Sequence, residues 1–232
     1  MAEAKTNAYL WDVNNPRGYA NAMGRYKTRK ELAFLLEHLH GEKLRILDVG
    51  GGSGRFAAPL AERGHSVTVA DISEAALNIL RDRKLPGVTT VCGDFLTQSF
   101  DQPFDAVIGI ESVQSFTSVR FEELFGKIHS HLKPGGWFVF TELNGRSWRY
   151  ALRALRGSRN VEYNVGRPAD YVNALRTAGF DTIRMEGFVW MPFHASSNSR
   201  LVPLFAFFEN ALGLGRWIGQ SPWLLIAARK PS

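Results

Sequence analysis

Leu47-Asp48-Val49-Gly50-Gly51-Gly52-Ser53-Gly54 decides how this 232-residue chain is read, because it joins the end of an apolar strand to a glycine turn that opens a helix. Leu44, Ile46, Leu47 and Val49 supply a buried strand. Phe56, Ala57, Leu60 and Ala61 supply the apolar face of the helix that follows. With no side chains at 50, 52 and 54, the backbone is free to bend sharply and approach a ligand closely, as in a nucleotide-cofactor loop. Spacing then chooses among cofactors. The dinucleotide fingerprint G-x-G-x-x-G needs its third glycine at position 55, which is Arg55. Asp48, two residues before the first glycine, would repel a pyrophosphate but accept hydrogen bonds from a cationic amino group.

Outward from this loop, strands and helices alternate. Val67-Thr68-Val69-Ala70 ends in Asp71, Val88 to Cys92 leads into Gly93-Asp94-Phe95, and Phe104 to Ile110 forms a fourth apolar run. Leu132 to Phe140 reads as a helix end, a turn and a fifth strand. An acid followed by G-x-G-x-G resembles motif I of the class I S-adenosylmethionine-dependent methyltransferases, and residues 44 to 142 follow that family's order of motifs.

The resemblance implies an α/β fold: a Rossmann-like, doubly wound, mostly parallel seven-stranded sheet with an antiparallel edge strand and helices on both faces. It also implies S-adenosyl-L-methionine as cofactor and S-adenosyl-L-homocysteine as product. Asp48 with Gly50, Gly51, Gly52 and Gly54 would hold the methionine end, Asp71 the ribose hydroxyls, Ile72 and Phe95 the adenine faces, and Asp94 the adenine amino group. Ile110 and Glu111, after the fourth strand, would face cofactor and acceptor. Singly, Asp48 and Asp94 also read as turn carboxylates and Asp71 as an N-cap. Those readings do not explain why each acid closes a successive strand, where open α/β sheets bind ligands.

S-adenosylmethionine carries an electrophilic methyl on a sulfonium, so transfer requires an acceptor atom held about 3 Å from it, and often a base. Glu111 and His194 are the candidate bases, with a structural carboxylate and a surface histidine as the competing readings. Gln114 and Ser115 stand where relatives often place Glu-His, which argues against a carboxylate-histidine metal site; no metal is expected. Base-methylating motifs are missing after the fourth strand: Gly109-Ile110-Glu111-Ser112 replaces Asn/Asp-Pro-Pro-aromatic, and the single cysteine, Cys92, ends the third strand. Methyl transfer to an oxygen or nitrogen of a small or medium-sized, partly apolar acceptor, such as a lipid-linked, sugar or secondary-metabolite compound, is therefore expected rather than transfer to nucleic acid.

Composition sets the frame. With 45% hydrophobic residues the chain can bury one core, so residues 1–232 are expected to form a single domain. Its expected parts are an N-terminal helical cap (1–43), a cofactor-binding core (44–142) and substrate-side insertions (143–167 and 190–219). A helix is expected from Lys27 to His40, another from Pro168 to Ala178, and a strand pair from Phe180 to Val189 and Trp223 to Arg229. One cysteine excludes an internal disulfide, and an N-terminus without an apolar leader points to the cytoplasm. Substrate contacts are expected from Trp11, Tyr19, Tyr26, Arg146, Phe193 and His194.

Two segments stand apart. Arg146, Arg149, Arg153 and Arg156 share one side of a predicted helix, read as a solvated face, an anion site or a peripheral membrane contact. Leu201, Leu204, Phe205, Phe208 and Leu212 share a helical face that Phe207, Ala211 and Leu214 widen; core packing is the expectation, a pocket lid comes next, and membrane or dimer contact ranks below both. Two other functions fit the same scaffold: a non-catalytic S-adenosylmethionine-binding module and a nicotinamide-dependent oxidoreductase.

Overall fold

The computed structural model describes residues 19–155 and 163–232. Within them β1 (Arg45–Val49), β2 (Ser66–Asp71), β3 (Val88–Cys92), β4 (Phe104–Gly109), β5 (Leu132–Leu143), β6 (Thr182–Phe188) and β7 (Trp223–Arg229) form one sheet in the order β3-β2-β1-β4-β5-β7-β6. The first five strands pair in parallel, and β7 runs antiparallel between β5 and β6. The near-continuous burial of β1 and β4 is that of strands covered on both faces.

Helices α1 (Ala22–His38), α2 (Ala57–Ala61) and α3 (Glu74–Asp82) cover one face, where Leu35, Leu60 and Leu77 pack with Ile46 and Val139. On the opposite face α4 (Phe121–Ser130) and α6 (Pro168–Thr177) bring Phe125 and Tyr171 against Phe138 and Phe140. Each of these side chains contributes roughly 1.5–3 kcal/mol by leaving water. This is the doubly wound α/β architecture, and its strand order reverses between β1 and β4. The crevice at such a reversal is where these sheets bind ligands. Register brings Val49 level with Ala70, and Asp48 level with Ile108, so the loops after β1, β2 and β4 open on one rim.

Local chemistry moves several boundaries. Helix α1 starts five residues before Lys27, because Asn21 caps it by accepting the Gly24 N–H at 2.8 Å; Gly24 and Arg25 hide that first turn from leucine periodicity. Residues 52–56 are turn, so Phe56 flanks a five-residue α2 and stays buried. Ser73, not Asp71, caps α3.

Helices α5 (Trp148–Leu155) and α7 (Val202–Ala211) lie in the segments expected on the substrate side. In α7 the core-packing expectation fails. Leu201, Leu204, Phe207, Phe208 and Leu212 are between 49% and 66% exposed, while Glu209 is buried. The helix is turned outward because Tyr26 of α1 donates to Glu209 Oε1 at 2.5 Å and the Trp190 N–H to Oε2 at 3.0 Å. Once a carboxylate is held inside by two donors, the apolar stripe faces water. Trp11 and Arg156, and the side chain of Arg153, lie outside the described residues.

Candidate active site

The glycine loop after β1 is shaped around Asp48. Gly50 and Gly52 adopt φ of 71° and 54°, which favour glycine. A Cβ at Gly51 would collide with the Asp48 carboxylate, and one at Gly50 with Ser112. Asp48 is buried, and its Oδ2 has no hydrogen-bond partner among the described residues. Burial, and then the neighbouring Asp71 charge, push its pKa up to about 7 against the opposing pull of Arg55. A buried carboxylate with an unused oxygen beside a side-chain-free loop fits a ligand cation such as an α-ammonium.

Asp71 closes β2 with its Oδ2 accepting from Gly52 N at 2.9 Å and its Oδ1 from Ser73 N at 2.8 Å. These two amide donors fix the carboxylate at the rim, although burial raises its pKa overall. Next to it Ile72 is 61% exposed, an apolar side chain free to stack on a flat ring. Asp94 is exposed and accepts from Leu96 N at 2.9 Å. The expectation for Phe95 needs correction. Its ring is 3% exposed and packs edge-on against Phe116 and His131, so it belongs to the core rather than to an adenine face. Ile110 is also buried, directly below the β4 rim.

Beyond the loop the rim becomes a charged cluster that the sequence did not advertise. Glu111 has φ of 58°, and its N–H donates to the Thr141 hydroxyl oxygen at 2.7 Å. Its carboxylate pairs with Lys27 at 2.8 Å and with Arg55 at 3.4 Å. Arg55 also reaches Glu31 at 3.0 Å and lies 3.8 Å from the Tyr19 ring. The residue that excluded a dinucleotide fingerprint thus ties α1 to the end of β4. Glu31 is fully buried, and burial pushes its pKa up to about 7 while Arg55 pulls it down. Lys27 is sandwiched between Glu111 and Trp223, with its ammonium 3.7 Å from the indole.

Glu111 and Lys27 form one wall of a cavity of about 720 Å³, large enough for a drug-sized ligand. Tyr19, Phe193 and His194, three of the residues expected to contact substrate, are among its lining. Tyr26 and Arg146 are not. Tyr26 is buried against Glu209, and Arg146 is exposed outside the cavity; the arginine that lines it is Arg149. That guanidinium donates to the carbonyls of Met191 (2.6 Å) and Phe193 (2.5 Å), so it fastens the 190–195 loop over the cavity. Tyr150, Tyr163 and Trp223 add further aromatic rings to the lining, and Gln114 an amide. No spacing pattern pointed to them, since they come from four separate segments.

Both candidate bases are engaged. Glu111 faces two cations, and His194 Nδ1 accepts from Ser196 N at 3.3 Å and contacts Ser196 Oγ at 2.8 Å.

Residues 19–185 match the family model described as a methyltransferase domain. The chain belongs to this family. It is 28% identical over 222 residues to a ubiquinone biosynthesis O-methyltransferase of Paramagnetospirillum magneticum, covering 83% of this chain and 82% of that one. A fatty-acid O-methyltransferase of Mycolicibacterium smegmatis is 34% identical over 119 residues, 48% of this chain and 43% of that one. Among solved structures, a Thermotoga maritima S-adenosylmethionine-dependent methyltransferase described as a possible histamine N-methyltransferase superposes with a TM-score of 0.65. It is 20% identical, covering 90% of this chain and 91% of that one.

The protein is therefore a class I S-adenosylmethionine-dependent methyltransferase, and the nicotinamide and non-catalytic readings are set aside. The chemistry of the orphaned Asp48 oxygen, the bare glycine loop, the anchored Asp71 and the exposed Ile72 is compatible with a ligand carrying an ammonium group, hydroxyls and a flat ring.

Proposed function

We propose that this methyltransferase acts on an oxygen of a partly apolar acceptor, and favours acceptors whose oxygen is already ionised near neutral pH, such as a carboxylic acid or an acidic phenol. The cavity carries the proposal: its lining holds two cations, Lys27 and Arg149, beside aromatic side chains, its one carboxylate, Glu111, is paired with Lys27 and Arg55, and His194 Nδ1 is turned to Ser196. The ubiquinone and fatty-acid O-methyltransferases among the relatives, whose names specify oxygen transfer, support the same class.

The cofactor supplies an electrophilic methyl group; the chain supplies position, charge and dryness. Lys27 lies where it would stabilise an anionic acceptor oxygen, and Glu111 and Trp223 hold its ammonium in place. Tyr19, Phe193 and Trp223 exclude water around the reacting atoms. With S-adenosylmethionine bound, the acceptor oxygen would take the methyl group, and the cofactor's sulfur would keep the electron pair of the methyl–sulfur bond. No proton moves in that step when the acceptor is already an anion.

The test is transfer of labelled methyl to a matched panel of long-chain carboxylic acids, prenylated phenols, alcohols and amines, with His194→Ala in parallel. Transfer to acids or phenols, with His194→Ala within about threefold of the parent, is the expected result. A loss of about 10²-fold or more in that variant would identify a general base. Transfer to amines alone would overturn the proposal.

A further inference from the structure

The apolar face of α7 is not covered by the rest of the described chain, and its surroundings say what fits it. Leu201, Leu204, Phe207, Phe208, Leu212 and Trp217 are between 49% and 68% exposed. Exposed Arg200 precedes the helix and exposed Arg216 follows it. Between Trp190 and Pro222 the sole carboxylate is Glu209, and Tyr26 and Trp190 hold it inside. The exposed face thus presents aromatic and aliphatic side chains with flanking cations and no exposed acid from its own segment, on a chain of formal net charge +6; the nearest acid from a neighbouring element, Glu186 of β6, lies beside Gly215 and is paired with Arg184. A helix with that composition lies in the plane of an anionic lipid interface. A helical partner or second copy would instead be expected to need counter-charges here for Arg200 and Arg216.

The face also runs into the active site. Phe205 of α7 packs edge-on against Phe193 at 5.2 Å between ring centroids, and Phe193 lines the acceptor cavity. Tyr150 of α5, another lining residue, is 43% exposed, as is Leu152 two residues on.

We propose that α7 and the turn through Trp217 dock the enzyme on the surface of an anionic phospholipid bilayer, with the mouth of the acceptor cavity next to the lipid. Docking stands on the exposed face itself; delivery of a lipid-dissolved acceptor rests additionally on the reading of the cavity given above. Among the described residues no helix is long and apolar enough to cross a membrane, so the contact is peripheral.

Co-sedimentation of the full chain with phosphatidylglycerol/phosphatidylcholine vesicles, against phosphatidylcholine alone, tests it. Preferential binding to the anionic vesicles is expected, weakened by salt. Phe207→Glu with Leu212→Glu should lower partitioning at least about tenfold. Arg200→Gln and Arg216→Gln should each lower it about fivefold. S-adenosylhomocysteine binding should be unchanged in every variant, which reports a folded protein. Equal sedimentation of the parent with both vesicle types, or of the Phe207/Leu212 variant with the parent, would overturn docking. A concentration-dependent dimer that the same variant dissociates, without vesicle binding, would assign the face to a second copy. Vesicle binding without transfer to any oxygen acceptor would leave docking intact and remove the acceptor reading alone.

Discussion

Asp48→Asn should make the unliganded protein more stable while weakening its hold on the cofactor. The buried carboxyl is raised from its ordinary value of 3.8 to about 7, chiefly by burial. At 1.36 kcal/mol for each tenfold step, that difference corresponds to about 4 kcal/mol of destabilisation once Asp48 is ionised. Between these two values the folded chain holds a proton that the unfolded chain has released, so this group's contribution falls as pH rises through the window from 3.8 to about 7. Above it the full cost is present. An amide of the same shape removes the charge, so the variant should gain about 2–4 kcal/mol at about pH 8 and little near pH 4. Urea unfolding at both pH values reads the difference through the shift in midpoint. Binding should move the other way. Loss of a charge-assisted contact to the cofactor's ammonium weakens the Kd by about 10–100-fold. In the parent, affinity should also fall as pH drops below about 7 and Asp48 takes up its proton. A variant no more stable than the parent at pH 8, or with the parent's pH-dependent affinity, would refute this view of Asp48.

Gly51→Ala places a Cβ against the Asp48 carboxylate and should cost at least about tenfold in S-adenosylhomocysteine affinity, read by calorimetry, with the fold intact by circular dichroism. Lys27→Met removes the nearest counter-ion of Glu111 while Arg55 remains. Because it leaves a buried carboxylate under-compensated, it should destabilise the protein by about 3 kcal/mol in urea unfolding. In labelled-methyl assays the same variant should lower turnover on acidic acceptors by more than it lowers cofactor affinity.

The centre of the sheet was legible because β1 and β4, buried on both faces, leave near-continuous apolar runs, and its rim because Asp48, Asp71 and Asp94 each lie at or just beyond the end of a strand. Trp223–Arg229 was readable to the residue from its unbroken apolar run although it pairs antiparallel, and the edge strand Val88–Cys92 from its β-branched residues rather than from burial. The cofactor loop was legible because its glycines sit at fixed offsets from the strand end. The acceptor side was not. Lys27, Glu31 and Arg55 look like the ordinary charges of surface segments, and only the docking of α1 on the rim turns them into one buried cluster. For α7, periodicity identified which residues share a face but not which face the protein covers. That was decided by Tyr26, 183 residues from Glu209, and no local pattern connects the two. Arg146 and Arg149 were equivalent in spacing, and the carbonyls of Met191 and Phe193 separate them.

Cofactor recognition at the β1 and β2 rim is tested most directly by calorimetric titration of S-adenosylmethionine, S-adenosylhomocysteine and NAD into the parent and into Asp71→Ala. Binding of the first two in the micromolar range, weakened about 100-fold or more in the variant, with no heat from NAD, is the predicted outcome. Undiminished binding in Asp71→Ala, or tight binding of NAD alone, would contradict it.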